Sequence, residues 1–207
     1  MRNLLRNLLI SVLGLGLLAS ASAQAETSAA AKPVDALHTA LLAAMKQGKE
    51  AGYKGRFAAL EPVVTQSFDF ATVARLVLGR NWAGLKPEQQ KKFIDTFSKL
   101  SVATYASRFD SFSGEHFDSL GEVKQNGNNT LVETQLVRTN DQPVSLNYLV
   151  STGPDGTARI LNVVADGVSD ISLKRSEYSS IISSDGFDAL IEKLNAKIAQ
   201  YESPSSE

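Results

Sequence analysis

Residues Ala158 to Ile182 read ARILNVVADGVSDISLKRSEYSSII, and the fold turns on them. In the first half Arg159, Leu161, Val163 and Ala165 alternate with Ile160, Asn162 and Val164. Both sets are apolar apart from Arg159 and Asn162, which suits a strand covered on both faces. Gly167 breaks the strand and allows a sharp turn, because it carries no Cβ. Ser169 or Asp170 can then cap a helix with a side-chain oxygen. In that helix Ile171, Tyr178 and Ile182 recur at helical spacing. A buried strand therefore runs straight into a helix that must fold back over the sheet.

Upstream of this stretch the apolar period is two. His116 to Val123 reads as a first strand, and Asn126-Gly127-Asn128-Asn129 as a hairpin turn, since Asn and Gly accept positive φ. Val132, Thr134 and Leu136 alternate against Glu133 and Gln135 in a second strand. After the turn Asn140-Asp141-Gln142, Val144, Leu146, Tyr148 and Val150 alternate against Ser145, Asn147 and Leu149 in a third. Gly153-Pro154-Asp155-Gly156 leads into Ala158–Ala165, the fourth. Short consecutive loops predict a four-stranded antiparallel meander. Its apolar face needs helices over it, so the fold class is α+β.

Further upstream the period is helical. Pro33 suits a first turn, and Val34, Leu37, Leu41 and Met45 form an apolar stripe. The polar stretch Gln47–Lys54 connects to a second helix carrying Phe57, Leu60, Val64 and Phe68, with Pro62 expected to bend or interrupt it. Phe70–Leu78 is a short helix that Gly79 ends. Arg80–Lys86 is a loop holding Trp82, the only tryptophan. Pro87-Glu88 opens the longest helix, reaching about Phe112. Its Phe93, Ile94, Phe97, Leu100, Tyr105, Phe109 and Phe112 cover roughly half the circumference, wider than the ~100° stripe of an ordinary surface helix. That face is either a central core or the wall of a cavity. At the other end Phe187, Leu190, Ile191, Leu194 and Ile198 make an amphipathic helix.

Arg2 and Arg6, the apolar run Leu8–Leu18 and the small residues Ala19–Ala25 make a secretory signal peptide, with cleavage readable after Ala23 or Ala25. The chain so divides into a signal peptide over 1–23, a loose N-terminus over 24–33, one domain over 34–201 and a flexible tail over 202–207. Without Arg2 and Arg6, the 21 basic residues fall to 19 against 22 acidic, a balance of −3. That argues against a general affinity for nucleic acid or anionic membrane. There is no cysteine, so the exported protein folds without disulfides. Its two histidines, His38 and His116, sit in no metal-ligand spacing. No nucleophile elbow, phosphate loop or dinucleotide fingerprint is present. No catalytic residue, metal or cofactor is assigned.

Asn162-Val163-Val164-Ala165-Asp166-Gly167-Val168-Ser169, followed by Arg175-Ser176-Glu177-Tyr178, resembles the closing segment of the MlaC/toluene-tolerance family. Leu78-Gly79-Arg80-Asn81-Trp82 and Pro87-Glu88-Gln89 with Phe93 and Phe97 look like its central segment. The resemblance runs from Phe57 to about Ile198. It departs at Asn162, where the family usually has aspartate. It implies a soluble periplasmic shuttle holding lipid tails between a curved sheet and covering helices. The implied partners are a phospholipid cargo, an inner-membrane ABC transporter complex carrying an MCE-domain protein, and an outer-membrane lipoprotein or porin-type partner. Gly167–Arg175 and Asp185–Asp188 resemble members associated with hopanoid clusters, which makes a hopanoid the alternative cargo. Two further classes stay open: a lipid-modifying enzyme, and a structural or interaction domain.

On this reading the cavity is lined by Val132, Leu136, Leu146, Tyr148 and Val150 on the inner sheet face, opposite Phe97, Leu100 and Tyr105, with Val164 and Tyr178 completing it. Each is equally readable as ordinary core. Arg108 and Arg175 fall on apolar helix faces and are candidates to hold a phosphate head group. Snorkelling, or a salt bridge to Asp110 or Glu177, is the alternative for them.

Overall fold

The structure is a computed structural model, and it describes residues 28–139 and 141–203. The expected signal peptide with its cleavage site, and most of the expected tail, lie outside the described residues. Four helices are laid against one sheet: α1 (Ala31–Ser67), α2 (Phe70–Leu78), α3 (Pro87–Arg108) and α4 (Asp170–Glu202). A 3₁₀ turn, Gly79–Gly84, joins α2 to α3 and carries Trp82. The strands are β1 (His116–Lys124), β2 (Asn129–Val137), β3 (Val144–Thr152), β4 (Ala158–Ala165) and β5 (Val168–Ser169), in the order β1-β2-β3-β4-β5. Every neighbouring pair is antiparallel, which confirms the meander.

The sheet has one strand more than expected. Asp166 (φ 47°) and Gly167 (φ 81°) both adopt left-handed backbone. Two such residues make the tight turn that matches the twist of a hairpin. The chain therefore pairs Ala165 with Val168 and Val164 with Ser169 before α4 starts. Ser169 caps α4 by accepting the Ser172 N–H. Asn162 buttresses that cap, its Nδ2 donating to Ser169 Oγ (3.0 Å) and its Oδ1 accepting from Ile171 N–H (3.2 Å). An amide can donate and accept at once, so no charge is needed there.

The helices break where expected except at the end of α3. The two helices expected on either side of Gln47–Lys54 are present as the two halves of α1, joined across a kink where Gly48 (φ 53°) and Gly52 (φ 60°) leave helical angles. Pro62 does not interrupt it, since those glycines are the non-helical positions inside α1. Arg56, buried in spite of its charge, donates to the carbonyls of Gly48 (2.7 Å) and Ala106 (2.8 Å), pinning the kink to the end of α3. Helix α3 stops at Arg108 rather than near Phe112: Phe109 N–H closes the last turn on Tyr105 and the backbone then leaves helical angles. The helix carrying Ile171, Tyr178 and Ile182 and the closing amphipathic helix with Phe187 to Ile198 are the two halves of α4, joined across a kink at Gly186 (φ 87°).

Helices α1, α3 and α4 and the inner sheet face share one apolar cluster. Its centre is aromatic. Phe93 and Phe97 stack 5.6 Å apart, and Tyr178 of α4 meets both edge-on.

Candidate functional site

The register decides which side chains face the helices. Val132 opposes Tyr148, Thr130 opposes Val150, and Thr134 opposes Leu146, so these share the inner face. Leu136 continues that face and pairs with Phe117 on β1. On β4 a register irregularity between Leu149 and Val150 places Ile160 opposite Val150 and Val163 opposite Tyr148. Simple alternation grouped Ile160 with Val164. The extra residue reverses the parity, as a bulge does. Val164 pairs with Asn147 and belongs to the outer face, so it is not a wall of the interior. Val163 takes that place.

Of the side chains expected to line a cavity, Phe97, Leu100, Val132, Tyr148, Val150 and Tyr178 come together deep inside, each at most 3% exposed. They pack on one another as core, and Tyr178 lies between α3 and α4. Leu146, Tyr105, Val163, Phe117 and Phe109 are half-buried and packed against that cluster, and Leu136, also half-buried, pairs with Phe117. The site is therefore a packed floor bordered by partly exposed apolar side chains.

One polar contact crosses the floor. His38 of α1 stacks on Phe117, ring centroids 3.7 Å apart, and its Nε2 is 3.0 Å from the Tyr148 hydroxyl. Helix α1 is thereby tied to β1 and β3 at once. Burial pushes the imidazole down from 6.5 to about 4, so it is neutral near neutrality. Burial likewise raises the Tyr148 phenol. Neither His38 nor Phe117 stood out in the sequence as a site residue. The signal was there for His38, which falls inside the stripe Val34, Leu37, Leu41, Met45.

The two arginines part company. Arg108 is exposed, one turn beyond Tyr105 on α3. Burial raises the Tyr105 phenol well above its usual value, Tyr148 and Asp170 add to this, and Arg108 opposes it. Arg175 instead reaches α2, where its Nε donates to Leu76 O at 2.8 Å and its Nη2 to the same oxygen. It caps a helix end. Among the described residues no ion pair joins Arg108 to Asp110 or Arg175 to Glu177.

Two open surface crevices lie elsewhere. One of about 460 Å³ is lined by Arg75, Trp82, Pro87, Gln90, Lys91 and Ile94. The other, about 380 Å³, lies between the two halves of α1 and the β3–β4 turn. Neither includes a residue expected to line the interior. Among the described residues no group of three His, Cys, Asp or Glu is placed to hold a metal, and no helix is long and apolar enough to cross a membrane.

The segment that builds the floor and its border, residues 35–196, is matched by the family model described as "MlaC protein". The chain belongs to the MlaC family. It is 25% identical over 127 residues to the intermembrane phospholipid transport system binding protein MlaC of Haemophilus influenzae, which is 60% of this chain and 59% of that protein. The chain thus spans under two thirds of the length of the curated relative it matches. The fold is similar to that of a phospholipid-binding protein from Ralstonia solanacearum solved in complex with a phospholipid. The TM-score is 0.72 at 21% identity, over 83% of this chain and 98% of the other. The MlaC-family fold is therefore present here, with an apolar interior between sheet and helices.

Proposed function

We propose that this protein is a periplasmic carrier that takes a phospholipid into the space between sheet and helices and shuttles it between the inner and outer membranes. It would serve as the auxiliary component of an MCE-type ABC transport system, exchanging cargo with that inner-membrane complex and with an outer-membrane lipoprotein or porin-type partner. The reading is supported by the family match together with the half-buried apolar side chains Leu136, Leu146, Val163, Tyr105 and Phe109 beside the aromatic core, which on this reading form the mouth of the lipid site. Moving an acyl chain through water costs about 0.8 kcal/mol per CH₂. A shuttle must therefore supply apolar surface in place of the bilayer, and it needs no nucleophile, metal or cofactor to do so.

Arg108 is the head-group residue of this reading, because its guanidinium is exposed at the mouth and suits a phosphate. Arg175 is engaged on Leu76 and holds α2 in place. A hopanoid is the second reading, favoured by the likeness of Gly167–Arg175 to members associated with hopanoid clusters.

The test is mass spectrometry of an organic extract of the protein purified from a Gram-negative host. Diacyl phospholipid near one per chain is the expected result. A polycyclic lipid would support the second reading. A lipid-free protein that also fails to take up phospholipid from micelles would refute both and leave a structural or interaction domain. Turnover of an ester lipid would identify an enzyme instead.

A further inference from the structure

The β1–β2 hairpin carries a chemistry that lipid carriage does not use. Its loop is Asn126-Gly127-Asn128, closed by Gln125 N–H on Asn129 O (2.9 Å) and held to the end of β3 by Thr152 N–H on Asn128 O (3.0 Å). Asn126 is the one asparagine in the sequence that precedes a glycine. Both residues are exposed. Among the described residues, the bonds that tie the hairpin leave out the Asn126 side-chain amide and the Gly127 N–H. A Cβ on Gly127, at φ 67°, would meet nothing within 4 Å, so the space around that residue is open. The chain also has three Asp-Gly pairs, and in each the carboxylate is engaged. Asp155 accepts the Thr157 N–H (3.0 Å) and hydroxyl (2.8 Å), which hold its carboxyl below the usual range, and the Gly156 N–H is used on Gly153 O. Asp166 accepts the Ser145 N–H at 2.9 Å, and Asp185 pairs with Lys193 at 3.0 Å.

We propose that Asn126 is a site of spontaneous deamidation, converted in the folded protein to aspartate and isoaspartate. The Gly127 nitrogen gives its proton to solvent base and attacks Asn126 Cγ. A bond forms between that nitrogen and Cγ, the Cγ–Nδ2 bond breaks, and the amide group leaves as ammonia after taking a proton. The product is a five-membered succinimide. Water then opens the ring. Attack at Cγ gives aspartate, and attack at the main-chain carbonyl gives isoaspartate, with the backbone routed through Cγ. Glycine at 127 matters twice: it has no Cβ to shield its nitrogen, and it lets the loop reach the conformation of attack. At the Asp-Gly pairs the same ring would have to form on an ionised carboxylate that already holds bonds, and an ionised carboxylate is a poor electrophile. Each event at Asn126 adds one negative charge. Isoaspartate also adds one backbone CH₂ between two fixed flanks of the hairpin. The proposal is independent of the carrier reading.

The experiment is peptide mapping by mass spectrometry of the full mature protein, aged in mildly alkaline buffer, with isoaspartate scored by protein isoaspartyl methyltransferase. Aspartate and isoaspartate are expected to accumulate at Asn126, faster as pH rises because the attacking nitrogen must lose its proton. Asn128, which precedes Asn129, is expected to stay intact over the same period. Asn126→Gln should lose the signal. Gly127→Asn should slow it strongly, because asparagine tolerates left-handed backbone but places a Cβ beside the nitrogen. In urea, where the bonds to Thr157, Ser145 and Lys193 are gone, the Asp-Gly pairs should gain isoaspartate as well. An Asn126 that reacts no faster than Asn128, or a rate that Gly127→Asn leaves unchanged, overturns the proposal. Isoaspartate appearing at the Asp-Gly pairs of the folded protein as fast as at Asn126 overturns it too.

Discussion

Protonating His38 should weaken the fold by an amount that follows from its surroundings. The ring is 7% exposed, lies on Phe117 and bonds to Tyr148, and among the described residues no carboxylate pairs with it to offset a positive charge. Burial lowers its titration from 6.5 to about 4. The unfolded chain therefore takes the proton first. Above pH 6.5 the group costs nothing, and as pH falls from 6.5 to about 4 the folded state loses stability. At 1.36 kcal/mol for each unit, the loss sums to roughly 3 kcal/mol. The measurement is the urea-unfolding free energy of the delipidated protein across that window, compared with His38→Gln. Glutamine can still meet the Tyr148 hydroxyl but does not titrate. The comparison also cancels Asp35, which burial and then Glu122 raise above the usual carboxylate value, and which acts with the opposite sign. The parent should lose roughly 3 kcal/mol more than the variant between the two ends. Parallel curves would refute the reasoning and show that the ring takes up a proton without disturbing the fold.

Arg56→Met keeps the stem but removes both bonds to Gly48 O and Ala106 O, leaving two carbonyls unpaired; it should cost about 3 kcal/mol in urea unfolding, and Arg56→Lys should recover less than half. Leu146→Trp at the half-buried mouth should abolish bound lipid with little change in melting of the lipid-free protein, whereas Val150→Trp, at a fully buried position, should destabilise by about 1–3 kcal/mol whatever the cargo. Arg108→Ala should lower bound phospholipid with a stability change within about 0.5 kcal/mol. Arg175→Ala should do the reverse, losing about 1 kcal/mol through the freed Leu76 carbonyl while cargo is retained.

The meander was legible because each strand is set off by turn residues and keeps a period of two, and α3 was legible from its opening Pro87 and its broad apolar face. What escaped was parity and long-range contact. The reversal on β4 depends on how Leu149 and Val150 pair across strands, and no local pattern within Ala158–Ala165 records it. Asp166-Gly167 was read as a turn into a helix, yet its two left-handed residues make a hairpin first. The break within Gln47–Lys54 was legible, and Gly48 and Gly52 supply it, but the sequence does not show Arg56 reaching back to hold that kink against α3. The division of labour between Arg108 and Arg175 was equally hidden. Both sit on apolar helix faces, and only the approach of α4 to the end of α2 gives Arg175 a carbonyl to cap.

A packed floor and a carrier reading are compatible for a physical reason. If sheet and helices part around an acyl chain, the apolar area they lose against each other is regained against the chain. The hydrophobic term is then nearly unchanged, because it depends on area removed from water and not on which surface covers it. Directional contacts across the seam have no such replacement. The His38–Tyr148 bond is one, tying α1 to β3, and the stack of His38 on Phe117 ties the same turn to β1. On the carrier reading these contacts set the preference for the closed state, while Arg56 holds the glycine kink beyond them to the end of α3. Tyr148→Phe removes the bond while keeping the ring, and a net hydrogen bond is worth about 1 kcal/mol. Lipid uptake from micelles by this variant should therefore be tighter by up to about fivefold. Unchanged uptake in a variant whose lipid-free form has lost that stability would show that the seam does not open at His38.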